Sequence, residues 1–192
     1  MRNHFNDKRR AAAAKTAGAG RLRKALDDAQ LDQLTQALGK QRGRHAEALR
    51  IMVEVMLASG ARAHELAYAN WENFDPNTGA LMPVDSHCSH RPEAAMPLAA
   101  WQALAKLPEA PSRGRPVFPD LPALRVEFSR CVGGLDIPRS PLGGIRTVAR
   151  ARFAKAQAAP AAATPSEIAT LPPSWLDALR ASRVAPASHA TH

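Results

Sequence analysis

The chain has few of the residues that disulfide chemistry and membrane insertion require. It contains two cysteines, Cys88 and Cys131, and no apolar run approaches the length that spans a bilayer. The N-terminus is charged and then alanine-rich, without the Leu/Val/Ile core of a secretory signal. We therefore expect a reduced, cytoplasmic protein with no disulfide framework and no membrane partner.

Aromatic residues are also scarce, at 5% of the chain, whereas apolar residues make up 45%. The 192 residues suffice for one domain with tails. Its core must be built mainly from Leu, Val, Met and Ala. The single tyrosine, Tyr68, lies in an apolar helical segment, and we expect it to pack in the core.

Acidic residues are nearly absent from the first 24 positions. This segment holds eight of the 26 basic residues and one acid, Asp7, so it carries +7 of the formal +9 charge. Such an arm commonly contacts a polyanion, because each neutralised phosphate releases counterions. The alternative is a solvated tail without a specific partner. We expect a nucleic acid to be the partner, bound through the basic residues of this arm: Lys8, Arg9, Arg10, Arg21, Arg23 and Lys24.

Acids are absent again between Arg139 and Pro165, where five basic residues occur. Arg146 and Arg150 are one helical turn apart, so they share a face if this segment is helical. The pattern predicts a basic face that suits a polyanion. A solvated helix surface is the alternative explanation.

Hydrophobic periodicity predicts the helices. The clearest has Leu49, Met52, Val53, Met56 and Leu57 on one stripe, with Gly60 at its end. Other helices are predicted at Arg21–Leu38, Arg62–Ala69, Ala99–Leu107, Leu121–Val132, Leu142–Gln157, 165–170 and 174–183.

Turn residues and prolines divide the rest of the chain. Asp75–Gly79 is a strong turn signal, followed by two short predicted strands, Ala80–Val84 and Ala94–Leu98. Because each strand contains a proline, each should have an unpaired edge. Pro108–Pro122 is predicted as a loop anchored by Val117 and Phe118, and residues 158–165 as an Ala/Pro linker.

This order of elements predicts a mostly α domain with a small antiparallel β-hairpin or sheet. We expect a basic flexible N-terminal arm over residues 1–20, the domain over residues 21–183, and a disordered tail over residues 184–192.

The segment Ser59–Asp75 carries the most specific motif. Arg62 follows Ser59-Gly60 and one small residue, and Glu65-Leu66, Trp71 and Asp75 come after it. This resembles the first active-site segment of the tyrosine recombinases, the phage-integrase family. The resemblance implies a tyrosine-recombinase-like catalytic-domain fold, with Arg62 gripping a DNA phosphate through its planar guanidinium and Glu65 bracing the fold. A surface Arg–Glu helix pair is the alternative.

A second segment is similar to the start of another helix in the same family. Ile145-Arg146-Thr147-Val148-Ala149 matches its "Leu-Arg-basic-Thr-Phe" pattern without the basic residue, and Gly143 stands where the family has histidine. The resemblance makes Arg146 the second phosphate-gripping arginine, with Arg150 one turn beyond it.

The catalytic positions of the family are not filled. No lysine lies between Lys40 and Lys106, where the family has one on the hairpin. His90 and Arg91 occupy the corresponding loop and are candidate phosphate contacts. Leu171-Pro172-Pro173 replaces the family's Leu-Gly-His, and the nucleophilic tyrosine would fall near Ser182. A covalent mechanism needs its nucleophile, so we expect no catalytic residues and no cofactor.

Three functions are therefore open. The first is a non-catalytic DNA-binding protein, an accessory or regulatory factor of a mobile element, plasmid or phage, associated with the nucleoid. The second is an active recombinase with a displaced nucleophile, for which Tyr68 and Ser182 are candidates. The third is a protein-interaction module that self-associates through the C-terminal segment Ser174–Arg183. A metal site at His87-Cys88-Ser89-His90 is not expected, because no second ligand pair has a recognised spacing.

Overall fold

The computed structural model describes residues 26–82, 94–119, 121–135, 137 and 142–183. Helices dominate these residues, and three two-residue strands form a small antiparallel sheet. The helices are α1 (Asp28–Lys40), α2 (Arg44–Ser59), α3 (Ala63–Ala67), α4 (Leu98–Leu104), α5 (Leu121–Val132), α6 (Gly143–Lys155), α7 (Pro165–Ile168) and α8 (Pro173–Arg183), with a 3-10 helix at Trp71–Asn73; the strands are β1 (Phe74–Asp75), β2 (Ala80–Leu81) and β3 (Ala94–Ala95). The predicted class, mostly α with a small antiparallel sheet, is confirmed.

Helix α2 lies at the centre and packs against α1, α4, α5 and α6. Its predicted stripe is confirmed, since Leu49, Met52 and Met56 are fully buried and Val53 nearly so. The helix ends at Gly60, whose φ of 70° lies in the left-handed region. Glycine suits this position because a Cβ would clash with the following carbonyl there.

Helix α1 begins later than the sequence predicted. Asp27 has extended backbone angles and caps the helix: its side chain accepts from Gln30 N at 2.8 Å, and Gln30 Oε1 accepts from Asp27 N at 3.2 Å. The predicted start near Arg21 is therefore wrong, because this reciprocal cap fixes the first turn at Asp28. Gly39 lies inside the helix rather than after it.

The sheet has the order β1-β2-β3, with antiparallel pairing throughout. The two predicted strands pair as expected but are shorter. The expected unpaired edge of β2 is wrong, because the Asp75–Gly79 turn folds β1 back onto it. Strand β3 lies at the edge of the sheet, and Pro97 after it is the N-cap residue of α4.

The predicted Ala/Pro linker crosses the turn that precedes β2. Ala163 N donates to Met96 O at 3.0 Å, which ties the linker to the segment after β3. At Gly79, where φ is 63°, an added Cβ would lie 2.1 Å from the Ala163 carbonyl oxygen. Only a glycine permits this close approach.

Helix α8 then packs onto its own chain. Trp175 makes edge-to-face contacts with Trp71 and Trp101, with ring centroids 5.7 and 6.4 Å apart. Arg183, at the end of the helix, bonds to the carbonyl oxygens of Glu72 and Phe74. The segment considered for self-association is therefore docked on the core of the same molecule.

The predicted loop after α4 is anchored as expected. Val117 and Phe118 are buried, and Val117 N donates to Ala69 O at 3.0 Å. Within the residues that the structure describes, no helix combines the length and apolar character needed to cross a membrane. The predicted arm (1–20) and tail (184–192) lie outside the described residues.

Candidate nucleic-acid interface

Arg62 is positioned by the junction between α2 and α3. It is the N-cap residue of α3, with extended backbone angles. Glu65 braces it: Arg62 N donates to Glu65 Oε2 at 2.7 Å, and the Nε atom lies 3.7 Å from Glu65 Oε1. About a third of the Arg62 side chain remains exposed (32%). The resemblance gave Glu65 a bracing role, and its contacts here suit that role.

Arg146 reaches the same junction from α6. Its Nε donates to the Gly60 carbonyl oxygen at 3.0 Å, across 86 residues of sequence. The Phe153 ring, two turns later on α6, also lies against Gly60. A Cβ added at Gly60 would lie 3.2 Å from Phe153 Cε2. Because the Nε of Arg146 is engaged by backbone, its two terminal nitrogens carry the donors that remain for a ligand.

The charges of this site act on one another. Burial lowers the pKa of Arg146 from its usual value, the positive charges of Arg62 and Arg150 lower it further, and Glu65 acts in the opposite direction. A guanidinium stays protonated at neutral pH despite such shifts. Arg62 and Arg146, predicted to converge, therefore belong to one electrostatic cluster.

This cluster has the chemistry of an anion site. The charges that act on Arg146 are the guanidinium groups of Arg62 and Arg150 and the carboxylate of Glu65. Guanidinium forks bind phosphate oxygens with two parallel hydrogen bonds. Binding of an anion is chemistry that these arginines can support.

The other basic residues of α6 differ in their partners. Arg150 is exposed, one turn beyond Arg146. Arg152 is engaged by α1, since its Nη2 lies 2.9 Å from Asp28 Oδ1. The hydrogen bond and the charge of Arg152 lower the pKa of Asp28. The predicted basic face is therefore formed by Arg146 and Arg150, while Arg152 ties α6 to α1.

Several predicted contacts fall outside the residues that the structure describes. These are His90 and Arg91 of the hairpin loop, Arg139, and all six arm residues: Lys8, Arg9, Arg10, Arg21, Arg23 and Lys24. His87 and Cys88 lie there as well. In the remaining chain, no group of three or more His, Cys, Asp or Glu side chains could hold a metal ion.

Ser182, where the family's tyrosine would fall, is buried. It is 3% exposed, and its hydroxyl donates to the Leu179 carbonyl oxygen at 2.7 Å. This hydroxyl completes the last turns of α8 and has no path to a phosphate.

The position of Tyr68 contradicts the prediction that this side chain packs in the core. It is 63% exposed, so the expected core position is wrong. Leu66 and Ala67 take the buried side of the short helix α3, which leaves Tyr68 on the outer side with His64, one turn earlier.

Two contacts of this region were missed in the sequence. The Gly60 carbonyl is the acceptor that fixes Arg146, and Arg183 pairs with the motif residue Asp75 at 3.2 Å. Gly60 was recognisable as a helix end, but a backbone acceptor carries no sequence signal. The sequence signalled the Arg183 contact only through two arginines, Arg180 and Arg183, in the last turn of α8.

Neither protein-family models, nor curated proteins, nor solved structures give a match to this chain. The likeness to the tyrosine recombinases therefore stays a prediction from the motifs around Arg62 and Arg146.

Proposed function

We propose that this protein binds double-stranded DNA through its phosphate backbone and does not cut it. The fold we propose is that of a tyrosine-recombinase catalytic domain whose chemistry has been lost. The observation that carries the proposal is the hydrogen bond from Arg146 Nε to Gly60 O at 3.0 Å. It holds one arginine of the motif pair beside the helix junction that presents the other.

The electrostatics of the pair support a polyanionic ligand. Burial lowers the pKa of Arg146, and the like charges of Arg62 and Arg150 lower it further, because both effects disfavour the charged guanidinium. Glu65 offsets one of the positive charges. A phosphate between the two guanidinium groups would offset another, through charge-assisted hydrogen bonds.

The loss of chemistry is supported by Ser182, at the position where the family's tyrosine would fall. Two arginines can stabilise charge on a phosphate, but they do not attack it. Ser182 is buried with its hydroxyl engaged. Backbone contacts of this kind fix a protein on DNA without selecting a sequence, which suits an accessory or regulatory factor of a mobile element, plasmid or phage.

The basic arm extends this proposal. Its eight basic residues would add phosphate contacts beside those of Arg62 and Arg146. Such a protein would reside in the cytoplasm, at the nucleoid. The hairpin-loop residues His90 and Arg91 would contribute further contacts.

A DNA titration of paired variants tests the site. The double variant Arg62→Gln/Arg146→Gln removes two positive charges and keeps side chains that can hydrogen-bond. We expect weaker binding to every duplex tested, and a salt dependence of log K that is shallower by about 1–2. The matched control, Arg125→Gln/Arg180→Gln, removes two exposed charges from α5 and α8.

Comparing DNA binding by the two double variants distinguishes a specific arginine site from an effect of net charge. If both weaken binding equally at two salt concentrations, net charge alone drives association and the arginine pair is no site. Far-ultraviolet circular dichroism of each variant establishes that it is folded. Deleting residues 1–24, which hold all eight basic residues of the arm, in each background then measures the arm separately.

An active enzyme is the second candidate, and one observation favours it. Tyr68 is largely exposed and lies one helical turn from His64. A nicked suicide substrate, analysed on a denaturing gel, distinguishes the two functions. We expect no covalent protein–DNA band. A band that disappears in Tyr68→Phe would establish Tyr68 as a relocated nucleophile.

A further inference from the structure

A groove lies between the N-terminal turn of α2 and the loop that joins α4 to α5. Its volume is about 520 Å³, within the range of about 300–1,000 Å³ that small-molecule sites occupy. Leu107, Trp71, Val117 and Phe118 supply an apolar floor. The loop is tied down there, because Val117 N bonds to Ala69 O.

The rim of the groove carries an ion pair and a further arginine. Arg44 Nη2 and Glu109 Oε1 form an ion pair, 2.5 Å apart, between the start of α2 and the segment after α4. Arg115 also lines the groove and is exposed. It has no ion-pair partner among the residues for which coordinates are described.

We infer that this groove binds a small amphiphilic carboxylate, with its apolar part on the floor and its carboxylate on Arg115. Small-molecule sites typically combine a mostly apolar lining with a few polar groups that orient the ligand. Arg115 provides the planar fork that matches a carboxylate. This inference does not rest on DNA binding, because none of the groove residues belongs to the Arg62–Arg146 site.

The charge balance decides between an anion and a cation. Among the described residues that line the groove, Glu109 is the one acid, and it is paired with Arg44. An organic cation would have to break that pair, whereas an anion finds Arg115 available. A neutral apolar molecule would use the floor but leave Arg115 without a partner.

Octanoate is the probe, and its neutral analogue octanamide is the comparator. Two-dimensional amide NMR of the full chain would follow both titrations. We expect octanoate to shift the amides of Arg115 and Val117 with a saturable Kd, and octanamide to bind at least tenfold more weakly. Lengthening the acid from hexanoate to decanoate should tighten Kd by at most about fourfold per methylene.

Arg115→Gln tests the carboxylate contact, and Arg125→Gln is the matched control. Both remove one exposed arginine charge, and Arg125 does not line the groove. We expect Arg115→Gln to weaken octanoate at least tenfold and to leave octanamide unchanged, with no effect of Arg125→Gln.

Four results would overturn the inference, and the first three concern affinity. They are the absence of saturable octanoate binding at millimolar concentration, equal Kd values for octanoate and octanamide, and equal losses in the two arginine variants. Shifts confined to residues outside the groove would also overturn it, since the carboxylate would then have bound elsewhere.

Discussion

Gly79 and Ala163 approach so closely that a single added methyl carbon would lie 2.1 Å from the Ala163 carbonyl oxygen. The Ala/Pro linker must pass at this distance because Ala163 N bonds to the Met96 carbonyl on its other side. Gly79 is therefore one point at which the C-terminal part of the chain is fixed beside the sheet, and the contacts of Arg183 with Phe74 and Asp75 are another.

The variant Gly79→Ala should lose about 2–5 kcal/mol of unfolding free energy, from the left-handed backbone and the overlap together. Gly114→Ala is the matched control, since Gly114 has a similar φ of 67° and nothing within 4 Å of an added Cβ. It should lose only about 1–2 kcal/mol. Urea unfolding followed by circular dichroism measures both. Equal losses would mean that backbone angle, and not crowding, governs Gly79.

Replacing Arg183 should lower the free energy of unfolding more than replacing the neighbouring Arg180. Its guanidinium bonds to the Phe74 carbonyl at 2.9 Å and pairs with Asp75, and both side chains of the pair are largely buried (28% and 14% exposed). We expect Arg183→Ala to lose about 1–3 kcal/mol, because it leaves a carboxylate and two carbonyls with fewer donors.

Arg180→Ala is the control for that variant. Arg180 lies 3.5 Å from Asp177 in an exposed pair, and exposed pairs contribute about 0–1 kcal/mol. Urea unfolding of both variants gives the comparison. A loss in Arg180→Ala as large as that in Arg183→Ala would show that helix charge, rather than the docked contact, is responsible.

The docking of α8 on its own chain predicts the behaviour of Trp175. Trp175→Ala should lose about 3–5 kcal/mol, since the ring contacts both Trp71 and Trp101. Trp175→Phe keeps an aromatic ring at this position and should lose less unfolding free energy. The unfolding midpoint should not depend on protein concentration. A midpoint that rises with concentration would indicate that α8 packs on a second copy instead.

The lowered pKa of Glu167 should make the stability of the first turn of α7 depend on pH. Hydrogen bonds from Thr164 N at 2.8 Å and from Thr164 Oγ1 at 2.9 Å lower the pKa of Glu167 from its ordinary value of 4.5. Because the folded pKa is the lower one, the stabilisation is complete above the unfolded pKa and is lost as pH falls through the folded pKa.

An NMR titration of the Glu167 carboxyl carbon measures this directly. Thr164→Val removes the hydroxyl and keeps the backbone donor, so it should raise the pKa of Glu167 only part of the way to the ordinary value. Asp177, an exposed carboxylate on α8, serves as the internal reference. An unchanged Glu167 titration in Thr164→Val would exclude the hydroxyl as a cause.

Much of this fold could be predicted from the sequence because its signals are local. The stripe on α2, the left-handed Gly60 and the Asp75–Gly79 turn each depend on neighbours within a few residues. The start of α1 was mispredicted because a short reciprocal cap at Asp27 outweighed the apolar residues before it.

The candidate site was only partly predictable. Arg62 and Arg146 were named from their motifs, but the bond that fixes Arg146 ends on a backbone carbonyl 86 residues away. Any residue has such a carbonyl, so its role depends on tertiary packing. Tyr68 was misplaced for a related reason, since one turn of helix has two sides and the sequence did not say which would face outward.

The bond between Arg146 and Gly60 has a consequence during synthesis of the chain. The junction that holds Arg62 emerges from the ribosome well before α6, so a nascent chain carries one arginine without the other. Affinity for an anion at this position would therefore arise only after the polypeptide has been translated through α6 and has closed on itself. Before that point, the proposed phosphate contacts of the nascent chain would be those of its N-terminal arm and of Arg62 without Arg146.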